Sequence, residues 1–143
     1  MPTFSLTQRQ LSTLRAAADR IIPPDEWCGA ADAGATEFIL QLLREDLSPE
    51  QENYLAGLEG IEAESQASCG KPFAELTPLE QDAILKSIEE NQVKATWTVS
   101  PQTFFQRLVE NVLEGYYANP ENGGNRDGIS WKMIGYRAEG GTW

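Results

Sequence analysis

The sequence predicts an all-α protein, a compact bundle of about five helices followed by an ordered C-terminal loop rich in Gly, Asn and aromatic residues. Three observations carry this expectation. Apolar residues recur at three- and four-residue spacing in five separate stretches. Three of those stretches open on Ser-Pro or Thr-Pro, which is helix-start chemistry because proline fits the first helical position. No segment alternates with period two for long enough to argue a strand; Val93 to Val99, V-K-A-T-W-T-V, is the best candidate and reads equally as a linker.

Taken in order, Thr7 and Gln10 form a capping box, after which Leu11, Leu14, Ala18, Ile21 and Ile22 keep helical spacing until Pro23-Pro24 stops the first helix. Residues 25 to 29 read as a loop. A second helix is expected from about Ala31 to Leu47, with Phe38, Ile39, Leu42 and Leu43 on one face and Gly34 as a weak spot near its start. Ser48-Pro49-Glu50-Gln51 reads as N-cap, proline and capping Gln for a third helix, which turns Tyr54, Leu55, Leu58 and Ile61 inward and ends at Cys69-Gly70. Thr77-Pro78-Leu79-Glu80 opens a fourth, holding Leu79, Ile84, Leu85 and Ile88. Ser100-Pro101 opens the last, with Phe104, Phe105, Leu108, Val109, Val112 and Leu113 inward. The irregular spacing of the three openings argues against a solenoid repeat. The short connections before the last helix favour mostly antiparallel neighbours.

At 143 residues the chain suits one domain, 1–143, able to bury a single core. Its 41% hydrophobic and 23% charged composition is that of a folded protein. The net charge of −11 is unevenly spread. Residues 25 to 90 carry sixteen acids against three bases, while residues 91 to 143 balance five against five. The acidity therefore belongs to the middle helices, where Glu62 and Glu64 are expected on a solvated face that keeps the protein soluble. Clustered Lys and Arg are missing, which disfavours nucleic acid as a partner. No stretch approaches the roughly 18 to 20 apolar residues of a membrane span. Two cysteines as far apart as Cys28 and Cys69 make neither a disulfide framework nor a metal knuckle.

The chain contains no histidine, which removes the usual general base, the Ser-His-Asp and Cys-His nucleophile systems, and most zinc or haem ligation together. It has no G-x-G-x-x-G after a strand, no Walker loop and no C-x-x-C-H. Near Asn125-Arg126-Asp127-Gly128 the calcium-loop template fails, because Gly123 stands where its first acid is required. Carboxylates are numerous, and none is singled out as an acid or base. Asp19, close to a helix C-terminus where the dipole disfavours an acid, has either a specific partner or capping role or a surface pairing with Arg15 and Arg20.

The segment Glu114 to Tyr136, E-G-Y-Y-A-N-P-E-N-G-G-N-R-D-G-I-S-W-K-M-I-G-Y, runs a helix into a loop that is entropically costly to order. Asn119, Asn122 and Asn125 can close turns, Gly123, Gly124 and Gly135 permit close backbone approach, and Tyr116, Tyr117, Trp131 and Tyr136 supply anchoring apolar area. Two compatible readings follow: Trp131 and Tyr136 plug the open end of the bundle, or the ordered aromatic loop docks another protein. The segment resembles the C-terminal signature of the gluconate 2-dehydrogenase subunit 3 family, and D-R-I-I-P-P at residues 19 to 24, followed by the small residues Ala30 to Thr36, resembles a second motif of that family.

The resemblance implies a non-catalytic accessory small subunit that supports folding, stability or export of an FAD-dependent, glucose-methanol-choline-type sugar or polyol dehydrogenase. FAD is then expected in the flavoprotein large subunit and no cofactor in this chain, with a cytochrome subunit as a further partner. Tyr116, Tyr117, Asn119, Gly123, Gly124, Asn125, Trp131, Gly135 and Tyr136 are the residues expected to dock the partner or anchor the loop. The alternatives are a stand-alone helical interaction domain and, further off, a histidine-free carboxylate hydrolase. Many members of the family carry a twin-arginine leader, and M-P-T-F-S-L-T-Q-R-Q-L shows none. A cytoplasmic location is expected from that, or a periplasmic one if the chain travels folded on a signal-bearing partner.

Overall fold

In a computed structural model, which describes residues 4–23, 29–31 and 33–117, the apolar periodicity resolves into five helices and no strand among the described residues. Helix α1 (Gln8–Ile21) starts on the expected capping box: the Gln10 N–H donates to Thr7 Oγ1 at 3.1 Å and the Thr7 N–H donates to Gln10 Oε1 at 2.9 Å. Helix α4 (Pro78–Glu89) repeats the device with Thr77 and Glu80, at 3.2 and 3.0 Å. Each box satisfies helix N–H groups that would otherwise lack a partner. Helix α5 (Pro101–Tyr117) follows a helix-free linker over Val93 to Val99, so of the two readings of that stretch the linker is the one realised.

Two helices depart from expectation. Helix α2 (Ala35–Arg44) is shorter than 31–47, because Gly34 has φ 95° and a left-handed residue cannot continue a right-handed helix. Turns, not helix, therefore occupy Ala30, Ala31, Ala33 and Gly34. Before helix α3 (Gln51–Cys69), Ser48–Glu50 form a 3-10 turn with no side-chain cap, so Ser48 is not an N-cap. The Gln51 side chain instead donates to the Leu43 carbonyl at 2.7 Å and ties the start of α3 to the end of α2.

The core gathers Leu14, Ile39, Leu43, Tyr54, Leu58, Ile61, Phe73, Ile88, Leu108 and Val112. Burial of each large apolar side chain contributes about 1.5–3 kcal/mol. Helix α5 runs through the middle and touches all four other helices. Two glycines set its depth: a Cβ on Gly57 would lie 2.2 Å from the Phe104 ring, and one on Gly115 2.9 Å from the Ala35 Cα. Leu79 and Leu113, both expected inward, are exposed. The buried stripe of α4 is Gln81, Ile84, Leu85 and Ile88, and Leu79, two residues before it, points roughly the opposite way. Leu113 sits at the edge of the α5 stripe that holds Leu108, Asn111 and Val112.

The acidic middle is not uniformly solvated. Glu62 and Glu64, expected on an exposed face, are 7% and 2% exposed. Leu58, Ile61, Glu62 and Ser65 share one helical stripe, so the fold carries Glu62 into the interior with its neighbours. Asp19 has a specific role: its Oδ1 accepts from the Ala31 N–H at 3.0 Å and secures the turn after α1. Arg20 reaches α4 and makes a two-pronged pair with Asp82 at 2.8 and 3.0 Å.

Candidate docking sites

Helix α5 spans roughly 25 Å at 1.5 Å per residue, and each of its ends offers a distinct surface. At the C-terminal end, close packing of Gly115 on Ala35 drives Tyr116 to full burial, and Tyr117 meets it edge-to-face with ring centroids 5.1 Å apart at 84°. Edge-to-face geometry suits the ring quadrupoles. Of the predicted anchors, Tyr116 is a core residue and Tyr117 is half-buried at the rim. Asn119, Gly123, Gly124, Asn125, Trp131, Gly135 and Tyr136 lie outside the described residues, as does Cys28.

At the N-terminal end, a cleft of about 310 Å³ opens between the first turns of α3 and α5. Its floor is Tyr54 and Phe104, packed edge-to-face at 5.6 Å and 78°. The Asn111 amide donates to the Tyr54 phenol oxygen inside the core. Burial pushes the phenol well above its usual ionisation range, and the Asn111 hydrogen bond only partly opposes this. Glu50 and Arg107 face each other across the mouth at 3.8 Å, beyond hydrogen-bond range, while the Asn53 amide donates to Glu50 at 2.8 Å.

Two buried carboxylates complete the polar interior. Glu62 accepts from Arg9 Nη2 at 3.2 Å, Thr13 Oγ1 at 2.9 Å and the Phe73 N–H at 3.0 Å, joining α1, α3 and the 3-10 turn Phe73–Glu75. Glu64 accepts from the Lys94 and Ala95 N–H groups at 3.0 and 2.7 Å and from the Trp97 indole at 3.1 Å. Each carboxylate is engaged by donors from another segment, an arrangement that ties elements together. The sequence reading places both on a solvated face, although the position of Glu62 inside the stripe Leu58, Ile61, Ser65 is a readable signal of burial. Among the described residues, no group of three or more His, Cys, Asp or Glu gathers as a metal site. No helix among them is long and apolar enough to cross a membrane.

A family model described as Gluconate 2-dehydrogenase subunit 3 matches residues 8–140. The chain belongs to the gluconate 2-dehydrogenase subunit 3 family. No curated protein and no solved structure matches it. The family match begins at the first residue of α1, spans both ends of α5 and takes in every predicted anchor from Tyr116 to Tyr136. A partner subunit is thus implied by the family itself, and the described residues of this member form five helices.

Proposed function

We propose that this chain is a non-catalytic accessory subunit that supports the folding, stability or export of an FAD-dependent sugar or polyol dehydrogenase of the glucose-methanol-choline type. The observation that carries the reading is the family match over residues 8–140. The residue chemistry is compatible with it: the chain lacks histidine, and among the described residues the buried Glu62 and Glu64 tie other segments to α3. In this reading FAD resides in the large subunit, which also brings any export signal, and a cytochrome subunit takes the electrons.

The test is co-expression with the cognate large subunit, followed by affinity capture and flavin absorbance. The two chains are expected to co-purify, and the yield of FAD-loaded enzyme is expected to rise when this chain is present. Gly124→Val and Tyr136→Ala are expected to weaken capture more than charge reversal at the exposed Glu52 or Glu59, since interface energy concentrates in ordered anchors. Glu62 and Glu64 are unsuitable as controls because they are interior residues. A large subunit that is equally abundant, active and flavin-loaded without this chain, with no complex on gel filtration, overturns the reading in favour of a stand-alone helical domain.

A further inference from the structure

We propose that residues 93–99, between α4 and α5, form a hinged strap that lifts off α3 as one unit while the helices stay in place. The inference stands apart from the accessory-subunit reading. It starts from the two ends of the segment. Asn91 is left-handed at φ 57°; its N–H donates to the Ile88 carbonyl at 3.1 Å and the Gln92 N–H to the Ser87 carbonyl at 2.8 Å, a Schellman stop that belongs to α4. At the other end Ser100 caps α5, its Oγ accepting from the Thr103 N–H at 3.2 Å. The Gln102 amide donates to the Glu89 carbonyl at 3.0 Å and joins the end of α4 to the start of α5 across the base of the strap. Both hinges and the bridge between them are therefore made without any residue from 93 to 99.

The body of the strap is held differently. Val93, Ala95, Trp97 and Val99 are half-buried while Lys94, Thr96 and Thr98 are exposed, the alternation of an extended chain lying on a surface. Among the described residues, its hydrogen bonds to the rest of the structure all end on one carboxylate: Glu64 Oε2 accepts from the Lys94 N–H, and Oε1 from the Ala95 N–H and the Trp97 indole. The Trp97 ring lies directly on Gly60, where a Cβ would meet it at 2.6 Å. Bonds that share one acceptor and one landing site are lost together, which makes the segment a cooperative unit. The further contact of Trp97 with Phe104 is tilted, with ring centroids 6.3 Å apart, and Phe104 keeps its edge-to-face partner Tyr54 without it. Lifting the strap thus breaks no helical hydrogen bond, and it takes Val99 out of the wall of the cleft above Tyr54 and Phe104.

The experiment is native-state hydrogen exchange by NMR on the full chain, in urea below the unfolding transition. It follows the Lys94 and Ala95 N–H groups, the Trp97 indole N–H and, as the core reference, the Leu108 N–H of α5. The three strap protons are expected to share one protection within about threefold, at least about tenfold below that of Leu108. Their rates are expected to stay within about threefold across the urea series while that of Leu108 climbs steeply, because a local opening exposes little surface. Gly60→Ala tests the landing site: alanine favours a helix over glycine, so lost protection in the strap comes from the displaced Trp97 ring. At least about tenfold faster strap exchange is expected in that variant, with the helical circular dichroism unchanged. Strap protons that share the protection and the urea slope of Leu108 overturn the proposal, since the segment then opens only when the bundle unfolds. Unchanged strap exchange in a folded Gly60→Ala overturns it too, by removing Trp97 from the clamp, and the wild-type measurement decides whatever the fate of that variant.

Discussion

Helix α3 carries two kinds of glutamate. Glu59 lies on the water-facing side, with a single side-chain bond from Gln10 at 3.2 Å, whereas Glu62 and Glu64, three and five residues on, are interior. The residue type is the same and so is the helix. What differs is helical phase and the donors that the opposing segment supplies: Arg9, Thr13 and Phe73 for one, the linker amides and the Trp97 indole for the other. Burying a carboxylate costs several kcal/mol unless such donors meet it, so these glutamates report where other segments must come to rest. The exposed acids carry no such information, and their pairs with bases contribute about 1 kcal/mol or less.

The sharpest way to break this contrast is Glu64→Ala. It leaves two backbone N–H groups and an indole N–H without their acceptor, and a loss of about 2–4 kcal/mol in urea unfolding is expected. Glu59→Ala, measured alongside, is expected to stay within about 0.5 kcal/mol. Equal effects from the two substitutions would dissolve the distinction.

A second test extends the comparison to a buried acid of another type. Because the Tyr54 phenol ionises well above its usual range in the folded state, its contribution is complete below about pH 10, the ordinary tyrosine value, and declines as pH rises beyond it. The slope approaches about 1.4 kcal/mol per pH unit for this one group. Urea melts at pH 8 and pH 11 are expected to show a larger alkaline loss for wild type than for Tyr54→Phe, and parallel losses would remove Tyr54 from the account.

The smallest effect belongs to the surface. The Arg20 hydrogen bond holds the Asp82 carboxyl below the usual aspartate range, so the pair stabilises above about pH 4 and fades as pH falls through the depressed value. Solvent screening keeps Asp82→Asn near about 0.5 kcal/mol at pH 7, and wild type and variant are expected to converge at pH 2.

Local chemistry was legible in the sequence where it is self-contained. The two capping boxes need only residues three apart, so Thr7 with Gln10 and Thr77 with Glu80 could be read directly. Ser48 failed because the start of α3 is settled by a contact with Leu43 on another helix, which no local pattern encodes. For Glu64 the same holds: composition assigns an acid to water, and only the arrival of residues 94 to 97 some thirty positions later reverses that, whereas Glu62 follows the apolar stripe of its own helix. The cleft, too, arises from juxtaposed helix starts some fifty positions apart. Tyr116, named with the aromatic C-terminal segment, is a buried core residue of α5.

The Glu64 tie has a consequence for how the chain meets proteases. Lys94 is exposed and precedes Ala95, so the bond between them is a nominal trypsin site in a segment without helix. Yet the amides of both residues are held by Glu64, and a protease needs that stretch released and extended before it can cut. Cleavage there is gated by local opening, and the same opening governs hydrogen exchange at the two amides. One interior side chain on α3 thus bears on the lifetime of a surface connection thirty residues away, and slow trypsin nicking at Lys94 reports how often the Glu64 tie opens.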